Sequence, residues 1–171
     1  MEFKVSMAGK ADAVIDYLVL KGANAQGELP TQLALMKLLF FVEGWSYPLL
    51  GRSLIGEPVK AWRLGPVIVS QRDRLKTFGS TFIPASFVSG NPDSVLGPDE
   101  TALIDDVWRR YAIENPSSLV GLTHLRGSPW HRIRKMNHVD WDAASDIDIP
   151  GEMIRDYFCD LYGRAGAWLI S

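Results

Sequence analysis

The stretch LMKLLFFVEGW at residues 35–45 decides the fold. These residues are apolar on nearly every face of a helix, and only Lys37 and Glu43 interrupt them. A helix has this pattern when other elements surround it, because a surface helix keeps one polar face. Thr31 stands just before the stretch and is placed to cap the helix with its hydroxyl group. The sequence therefore predicts a buried central helix.

A second informative stretch, EPVKAWRLGPV, follows at residues 57–67 and ends in the chain-reversing pair Gly65-Pro66. Glycines separate short apolar pieces between residues 48 and 66, so this region forms either a short β-hairpin, around residues 54–64, or an irregular loop. Pro66 suits the first turn of a helix, where its missing N–H group costs nothing. We expect that helix to run from Pro66 to about Phe78.

Apolar residues at helical spacing predict further helices. Ala11, Val14, Ile15 and Leu18 form one such stripe, and Gly22 is placed to end the helix. Similar stripes occupy residues 104–111 and 154–161. The predicted fold is mainly α, a compact single-domain bundle of six or seven helices.

Two Pro-containing pairs and one long connection complete the prediction. Asn115-Pro116 and Ser128-Pro129 are typical of a capping residue followed by Pro at the first helical position, so each starts a short helix. Residues 80–99 are rich in Gly, Ser, Pro and Asn, which predicts a long surface connection anchored by aromatic residues, among them Phe82 and Phe87.

Length, charge and cysteine content narrow the class of protein. The 171 residues fit one domain, since domains have about 100 to 200 residues each. A net charge of −2 gives no global attraction to nucleic acid or to an anionic membrane. Cys159 is the only cysteine, and no uninterrupted apolar run has the length of a membrane-spanning helix. We expect a cytoplasmic protein that is neither secreted nor bound to a membrane.

The two stretches closely resemble the Panacea domain, also called the SocA-like or GepA-like phage-associated family. The resemblance covers about residues 29–162, with an N-terminal helix in residues 1–28 and a tail at 163–171, and one domain spans 1–171. Met36 stands where this family usually has glutamine, and Leu64 where it usually has tyrosine. The motif residues, to which the resemblance assigns structural roles, are Lys37, Trp45, Trp62, Gly65, Pro66, Thr123, His124 and Trp130.

This resemblance implies an antitoxin that neutralises a cognate toxin, encoded next to it, by direct protein binding. An alternative is an adaptor that delivers the toxin to the ClpXP protease, as one SocA-like member does. A third interpretation, from another class, is a DNA-binding phage or operon regulator, although we expect no nucleic-acid partner because the basic residues are few.

No pattern of residues indicates an enzyme. The sequence has no Gly-x-Ser-x-Gly elbow, no phosphate-binding loop that ends in Gly-Lys-Ser/Thr, and no cysteine beside a base. His124, His131 and His138 would share one face of a continuous helix, but Gly127 and Pro129 interrupt it. We therefore predict no catalytic residue, no cofactor and no metal site.

The distribution of charge allows two interpretations. Residues 116–139 contain four cations, Arg126, Arg132, Arg134 and Lys135, and no acid, whereas residues 140–160 are strongly acidic. These segments either face each other or lie on a solvated surface, or they form a polarised surface that orients a charged partner. On the second interpretation the predicted partner-binding residues are Arg126, His131, Arg132, Arg134 and Lys135, together with Phe82 and Phe87 of the long connection.

Overall fold

The structure, a computed structural model, describes residues 9–25 and 29–165. These residues form seven α-helices and three short β-strands, which confirms the mainly α fold and the predicted number of helices. Three single-turn 3-10 helices lie at Lys76–Phe78, Ala85–Phe87 and Pro92–Ser94. The main elements are α1 (Lys10–Asn24), α2 (Gln32–Leu50), β1 (Val59–Trp62), β2 (Gly65–Val67), α3 (Val69–Leu75), α4 (Pro98–Tyr111), α5 (Pro116–Thr123), α6 (Pro129–Met136), β3 (Asp148–Ile149) and α7 (Gly151–Ala165).

Helix α2 lies at the centre of the fold, as predicted. Its residues 34–46 are all buried, and α1, α4, α5 and α7 pack around it. The Thr31 hydroxyl accepts a hydrogen bond from the Ala34 N–H group at 3.3 Å, so the predicted cap is present. The helix ends at Gly51, whose positive φ of 72° suits a residue without a side chain.

By length and composition alone, α2 could also cross a membrane. However, 72% of its most apolar window is buried inside the protein. The same helix carries the buried charged residues Lys37 and Glu43. The apolar surface of α2 is thus already covered by neighbouring elements of its own chain.

A β-hairpin is present, but its first strand starts at Val59, five residues later than expected. Strands β1 and β2 pair antiparallel with Trp62 opposite Gly65, and β3 adds to the other side of β1. Pro66 therefore lies in an edge strand instead of the first turn of a helix, and α3 begins only at Val69. An edge strand tolerates proline, because a backbone nitrogen that faces away from the neighbouring strand needs no hydrogen-bond partner.

Two of the predicted bounds are corrected at the helical ends of the chain. Helix α1 continues through Gly22 to Asn24. Gly22 is buried and packs so closely on Pro30 that an added Cβ would overlap the proline ring. Residues 163–165, the first part of the predicted tail, belong to α7. Residues 1–8, 26–28 and 166–171 lie outside the described part of the chain.

The long connection between α3 and α4 lies on the surface, as expected, and is fixed at several points. Ile83 is fully buried, and Phe82 forms an isolated β-bridge with Thr31. At its end, the Lys10 ammonium of α1 forms a buried ion pair with Glu100 of α4 at 2.5 Å and also donates to the Val95 carbonyl at 2.9 Å. These contacts join the connection to the two helices.

We predict that Gly44→Ala destabilises the protein. A Cβ on Gly44, inside α2, would overlap the ring of Phe158 on α7. Overpacking of this kind costs about 1 to 3 kcal/mol in the free energy of unfolding, measured by urea denaturation. Gly121→Ala is the matched control, because Gly121 lies in α5 with nothing within 4 Å of an added Cβ, and alanine there should gain about 0.5 to 1 kcal/mol. Equal effects at the two sites would contradict the tight α2–α7 packing.

Candidate functional site

Residues from four distant parts of the chain meet around the β-hairpin. Helix α2 contributes one of them, the end of α5 two and α6 another two, and the hairpin itself supplies the rest. We call this set the hairpin cluster; its members are Lys37, Trp62, Gly65, Pro66, Thr123, His124, Trp130 and Arg134. All but Arg134 are motif residues of the sequence analysis. The remaining motif residue, Trp45, is buried elsewhere in the core, where its indole N–H donates to the Tyr111 hydroxyl at 2.9 Å.

Side chains from two helices hold the hairpin by its carbonyl groups. The Lys37 ammonium donates to the Pro66 carbonyl at 3.0 Å, and the Trp130 indole donates to the Trp62 carbonyl at 2.6 Å. The Arg134 guanidinium donates to the Ala61 carbonyl at 2.9 Å. An isolated two-stranded hairpin is at best marginally stable, so these donors stabilise the short strands.

Gly65 is the one position of the cluster that requires glycine. Its φ of 109° lies in the left-handed region. An added Cβ would also lie 2.7 Å from the Thr123 hydroxyl oxygen and 2.9 Å from the Lys37 amine. Only a residue without a side chain lets the hairpin approach α2 and α5 this closely.

The Lys37 amine is fully buried beneath the hairpin. Burial lowers its pKa from the ordinary 10.5 to about 7 because the charged form loses its hydration. Among the described residues its one hydrogen-bond acceptor is the Pro66 carbonyl. An ammonium group has three donors, so an anion that reaches this amine would be held by the remaining ones.

His124 ends α5 and lies flat against Trp130. Its backbone N–H donates to the carbonyls of Val120 and Gly121, and its ring stacks on the indole with centroids 3.6 Å apart. Burial, together with the nearby charges of Lys37 and Arg134, lowers its pKa from 6.5 to about 4. The Nε2 atom is buried without a hydrogen bond in the described part of the chain. His124 is therefore a neutral, stacked residue at neutral pH.

The structure places Arg134 inside the protein, so it is not part of an exposed basic surface. It is fully buried, and besides Ala61 its guanidinium bonds to the carbonyls of Asp140 and Ala143, the latter at 2.6 Å. The spacing of α6 could have indicated this, because Trp130, Ile133 and Arg134 occupy one helical face and all three are buried. Arg134 has a structural role, joining α6 to β1 and to the segment that follows α6.

The other predicted basic residues remain at the surface. Arg126, Arg132 and Lys135 are exposed, and the half-buried ring of His131 stacks on Trp141 with centroids 4.8 Å apart. Trp141 and Leu125 are each 51% exposed. We call this set, Leu125, Arg126, His131, Arg132, Lys135 and Trp141, the α6 surface.

The acids that follow α6 have partners other than these cations. Asp148 forms an ion pair with Lys60 at 2.8 Å, and the Asp146 carboxylate lies 3.8 Å from the same lysine. No ion pair within residues 9–25 and 29–165 involves a cation of the α6 surface. The exposed cations therefore form no ion pair with the acidic segment in the described part of the chain, which leaves the solvated surface and the polarised surface as interpretations.

The two aromatic residues proposed from the long connection do not join the α6 surface. Phe82 is 47% exposed beside Thr31, at the start of α2. Phe87 packs edge-on against Phe78, and the Arg74 guanidinium lies 4.7 Å from its ring centroid. Phe87 thus anchors its own loop, and Phe82 presents a separate exposed ring.

Sequence reasoning gave no role to Glu43, the second charged residue of the central helix. Its buried carboxylate accepts hydrogen bonds from the Ser53 hydroxyl and, at 2.7 Å, from the Ile55 N–H group. Burial raises its pKa. The signal was present, since a charge in an otherwise apolar helix needs a buried partner. Glu43 fixes the loop that leads from α2 to the hairpin.

No three metal-ligating side chains come together within the described ranges. His124 and His131 each stack on a different tryptophan instead. Packing therefore accounts for His124 and His131, whereas His138 is exposed just after α6.

We predict that Lys37→Met removes a pH-dependent part of the stability. Between pH 7 and the unfolded pKa of 10.5, the unfolded chain holds the proton that folded Lys37 has lost, so stability rises with pH. The free energy of unfolding of the wild type should increase by about 2 kcal/mol from pH 7 to pH 9, and that of Lys37→Met should not. Urea denaturation at both pH values measures this. Lys135→Met, at an exposed lysine, should keep the increase; its persistence in Lys37→Met would contradict the assignment.

We also predict opposite outcomes for two arginines in one helix. Arg134→Gln leaves the carbonyl groups of three residues, one of them the buried Ala61, without their donor and should cost about 3 kcal/mol in the free energy of unfolding. Arg132→Gln, on the exposed face, should change it by less than about 0.5 kcal/mol. Thermal unfolding of the two variants compares them directly. Similar losses would mean that the buried hydrogen bonds do not stabilise the fold.

Comparison with known proteins gives one match. The family model described as "Antitoxin SocA-like, Panacea domain" matches residues 35–131, which include most of α2, the hairpin, α5 and the start of α6. No curated protein and no solved structure matches this chain. The matched span is more than half of the sequence and contains every motif residue around the hairpin. Because the match covers most of the central helix and the motif residues of the hairpin cluster, this chain belongs to the SocA-like antitoxin family of the Panacea domain.

Proposed function

We propose that this protein is the antitoxin of a toxin–antitoxin pair and neutralises a toxin encoded next to it by binding it directly. Membership of the SocA-like antitoxin family is the observation that carries this proposal. The proposal treats the whole chain as one cytoplasmic domain without a catalytic role. Neutralisation then depends on the affinity of the complex and on the amounts of the two proteins.

The α6 surface supports direct binding of a protein. Trp141 is a large, half-exposed aromatic residue that stacks on His131 of α6, and Arg126 and Arg132 are exposed as well. Tryptophan and arginine are the residue types most often found as energetic anchors of interfaces. Their cations have no intramolecular ion pair among the described residues, so an acidic partner would not need to displace one.

The same surface gives little support to a DNA-binding regulator. With Arg134 buried, three fully charged side chains of the basic segment remain exposed. Each phosphate contact adds only modestly to affinity, so a set of this size binds nucleic acid weakly at physiological salt. A protein toxin is the better partner, and delivery of that toxin to ClpXP is the alternative outcome of the same binding event.

The test is growth of cells that express the neighbouring open reading frame, with and without this protein, in ClpXP-proficient and ClpXP-deficient strains. We expect toxicity of the neighbour alone and rescue in both strains, since masking needs no protease. Rescue that requires ClpXP would replace masking by the adaptor mechanism. Toxicity without rescue in either strain would overturn the antitoxin assignment for that pair.

Surface variants sharpen this test. Trp141→Ala combined with Arg132→Glu should weaken binding of the purified toxin by about 10- to 100-fold, as expected for loss of interface anchors. Arg164→Glu changes an exposed arginine of α7 and serves as the matched control. Isothermal titration calorimetry gives the affinities. Wild-type affinity of the double variant would exclude the α6 surface while leaving the antitoxin function intact.

A further inference from the structure

A groove lies between the start of α2, the hairpin turn and α3, and Trp62 is part of its lining. Its volume is about 540 Å³, within the range of about 300 to 1,000 Å³ that is usual for ligand sites. The buried residues Met36 and Val67 form part of its lining. Leu64, at the hairpin turn, is 43% exposed at its edge. An apolar side chain of suitable size would be removed from water here.

The charges that line this groove are all positive. Lys37 lies in its buried part, Arg63 is exposed on the hairpin turn, and the Arg72 guanidinium lies 5.5 Å from the Trp62 ring centroid. No Asp or Glu is among the described residues that line it. Outside the groove, Arg72 has an exposed ion pair with its neighbour Asp73 at 3.3 Å, an arrangement that contributes little energy and is easily exchanged.

The Lys37 amine distinguishes this groove from an ordinary surface depression. It is fully buried and has the Pro66 carbonyl as its one acceptor in the described part of the chain. Because no part of Lys37 is exposed, a carboxylate in the groove would not contact the amine, but its charge would favour the protonated amine, whose pKa burial has lowered to about 7. The buried amine thus adds to the positive charge of the groove next to an apolar lining.

We propose that this groove is a docking site for a protein segment in which a carboxylate stands beside an apolar side chain. The apolar side chain occupies the space between Met36, Leu64 and Val67, and the carboxylate is held by Arg63 and Arg72. The identification of this partner with the toxin rests on the proposed function. The existence of the groove and the type of segment that it binds are independent of that function.

The first test uses a phage-displayed library of random peptides, selected on the full-length protein. Enriched peptides should carry Asp or Glu next to Leu, Ile, Phe or Met. Leu64→Asp and Arg72→Glu should each weaken the best peptide by about 10-fold or more, measured by fluorescence anisotropy. Leu125→Asp is the matched control at an exposed leucine of the α6 surface and should bind the peptide like the wild type.

Several results would overturn the proposal. One is a selection that yields no enriched peptide or peptides without acidic residues, and another is an affinity unchanged by Leu64→Asp. Another is occupation of the groove by a second copy of the chain, which light scattering tests. A wild-type dimer that Leu64→Asp converts to a monomer would show this. Both altered side chains are partly exposed, so we expect the variants to fold. Unfolding curves of each variant check this.

A second arm separates this proposal from the antitoxin assignment. The selected peptide is added to the complex of this protein with the purified neighbouring toxin, and displacement identifies the groove as the toxin's docking site. Peptide binding without any neutralisation of the toxin would leave the groove standing and remove the proposed function. Neutralisation by a protein that binds no acidic–apolar peptide would do the reverse.

Discussion

The hydrogen bond from the buried Lys37 ammonium to the Pro66 carbonyl is the constraint on which the rest of the structure depends. Lys37 belongs to the central helix, around which the other helices pack, and Pro66 belongs to the hairpin. Taking a lysine out of water is costly, and it is tolerated where the amine has a partner and can lose its proton. The contact fixes the hairpin against α2, and it works only because Gly65 leaves room for the amine. Loss of the Lys37 side chain would leave the Pro66 carbonyl without this donor.

Once the hairpin is fixed on α2, its remaining carbonyl groups position the second half of the chain. Trp130 and Arg134 lie four residues apart on α6, and they donate to two consecutive carbonyls of β1. The same arginine also holds the segment after α6, which leads to β3 and its pairing with β1. A hairpin of seven strand residues, four in β1 and three in β2, thereby connects the central helix to α6 and α7. This explains why the residues shared with the family are concentrated at the hairpin although the fold is mainly helical.

Sequence alone was sufficient where the decisive interaction is local or periodic. The caps at Thr31, Asn115 and Ser128 form hydrogen bonds to residues three positions later, so they follow from short-range rules. The central helix follows from apolar residues on every face. Predictions were wrong where a distant contact decides. Pro66 is a residue typical of a helix start, but its place in an edge strand is set by pairing with Ala61. Gly22 is a residue typical of a helix end, but its position inside α1 is set by packing on Pro30.

The candidate sites differ in how far sequence could reach them. Arg132 and Arg134 are the same residue type and lie two positions apart. Arg132 is exposed, whereas Arg134 is buried and donates hydrogen bonds to three backbone carbonyls. Helical periodicity separates them in principle, because Arg134 shares the face of Trp130. The groove was beyond such reasoning, since its walls come from α2, the hairpin and α3, and its depth depends on how these elements pack.

The position of the hairpin turn allows the surface to change without loss of the fold. Trp62 and Gly65 are held on either side of the turn by their contacts with Trp130 and with Lys37 and Thr123. Arg63 and Leu64, between them, are exposed and take no part in those contacts. Their side chains can therefore vary at little cost in stability, while each substitution alters the edge of the groove. A fixed frame with a replaceable turn lets the edge of the groove change while the fold is kept.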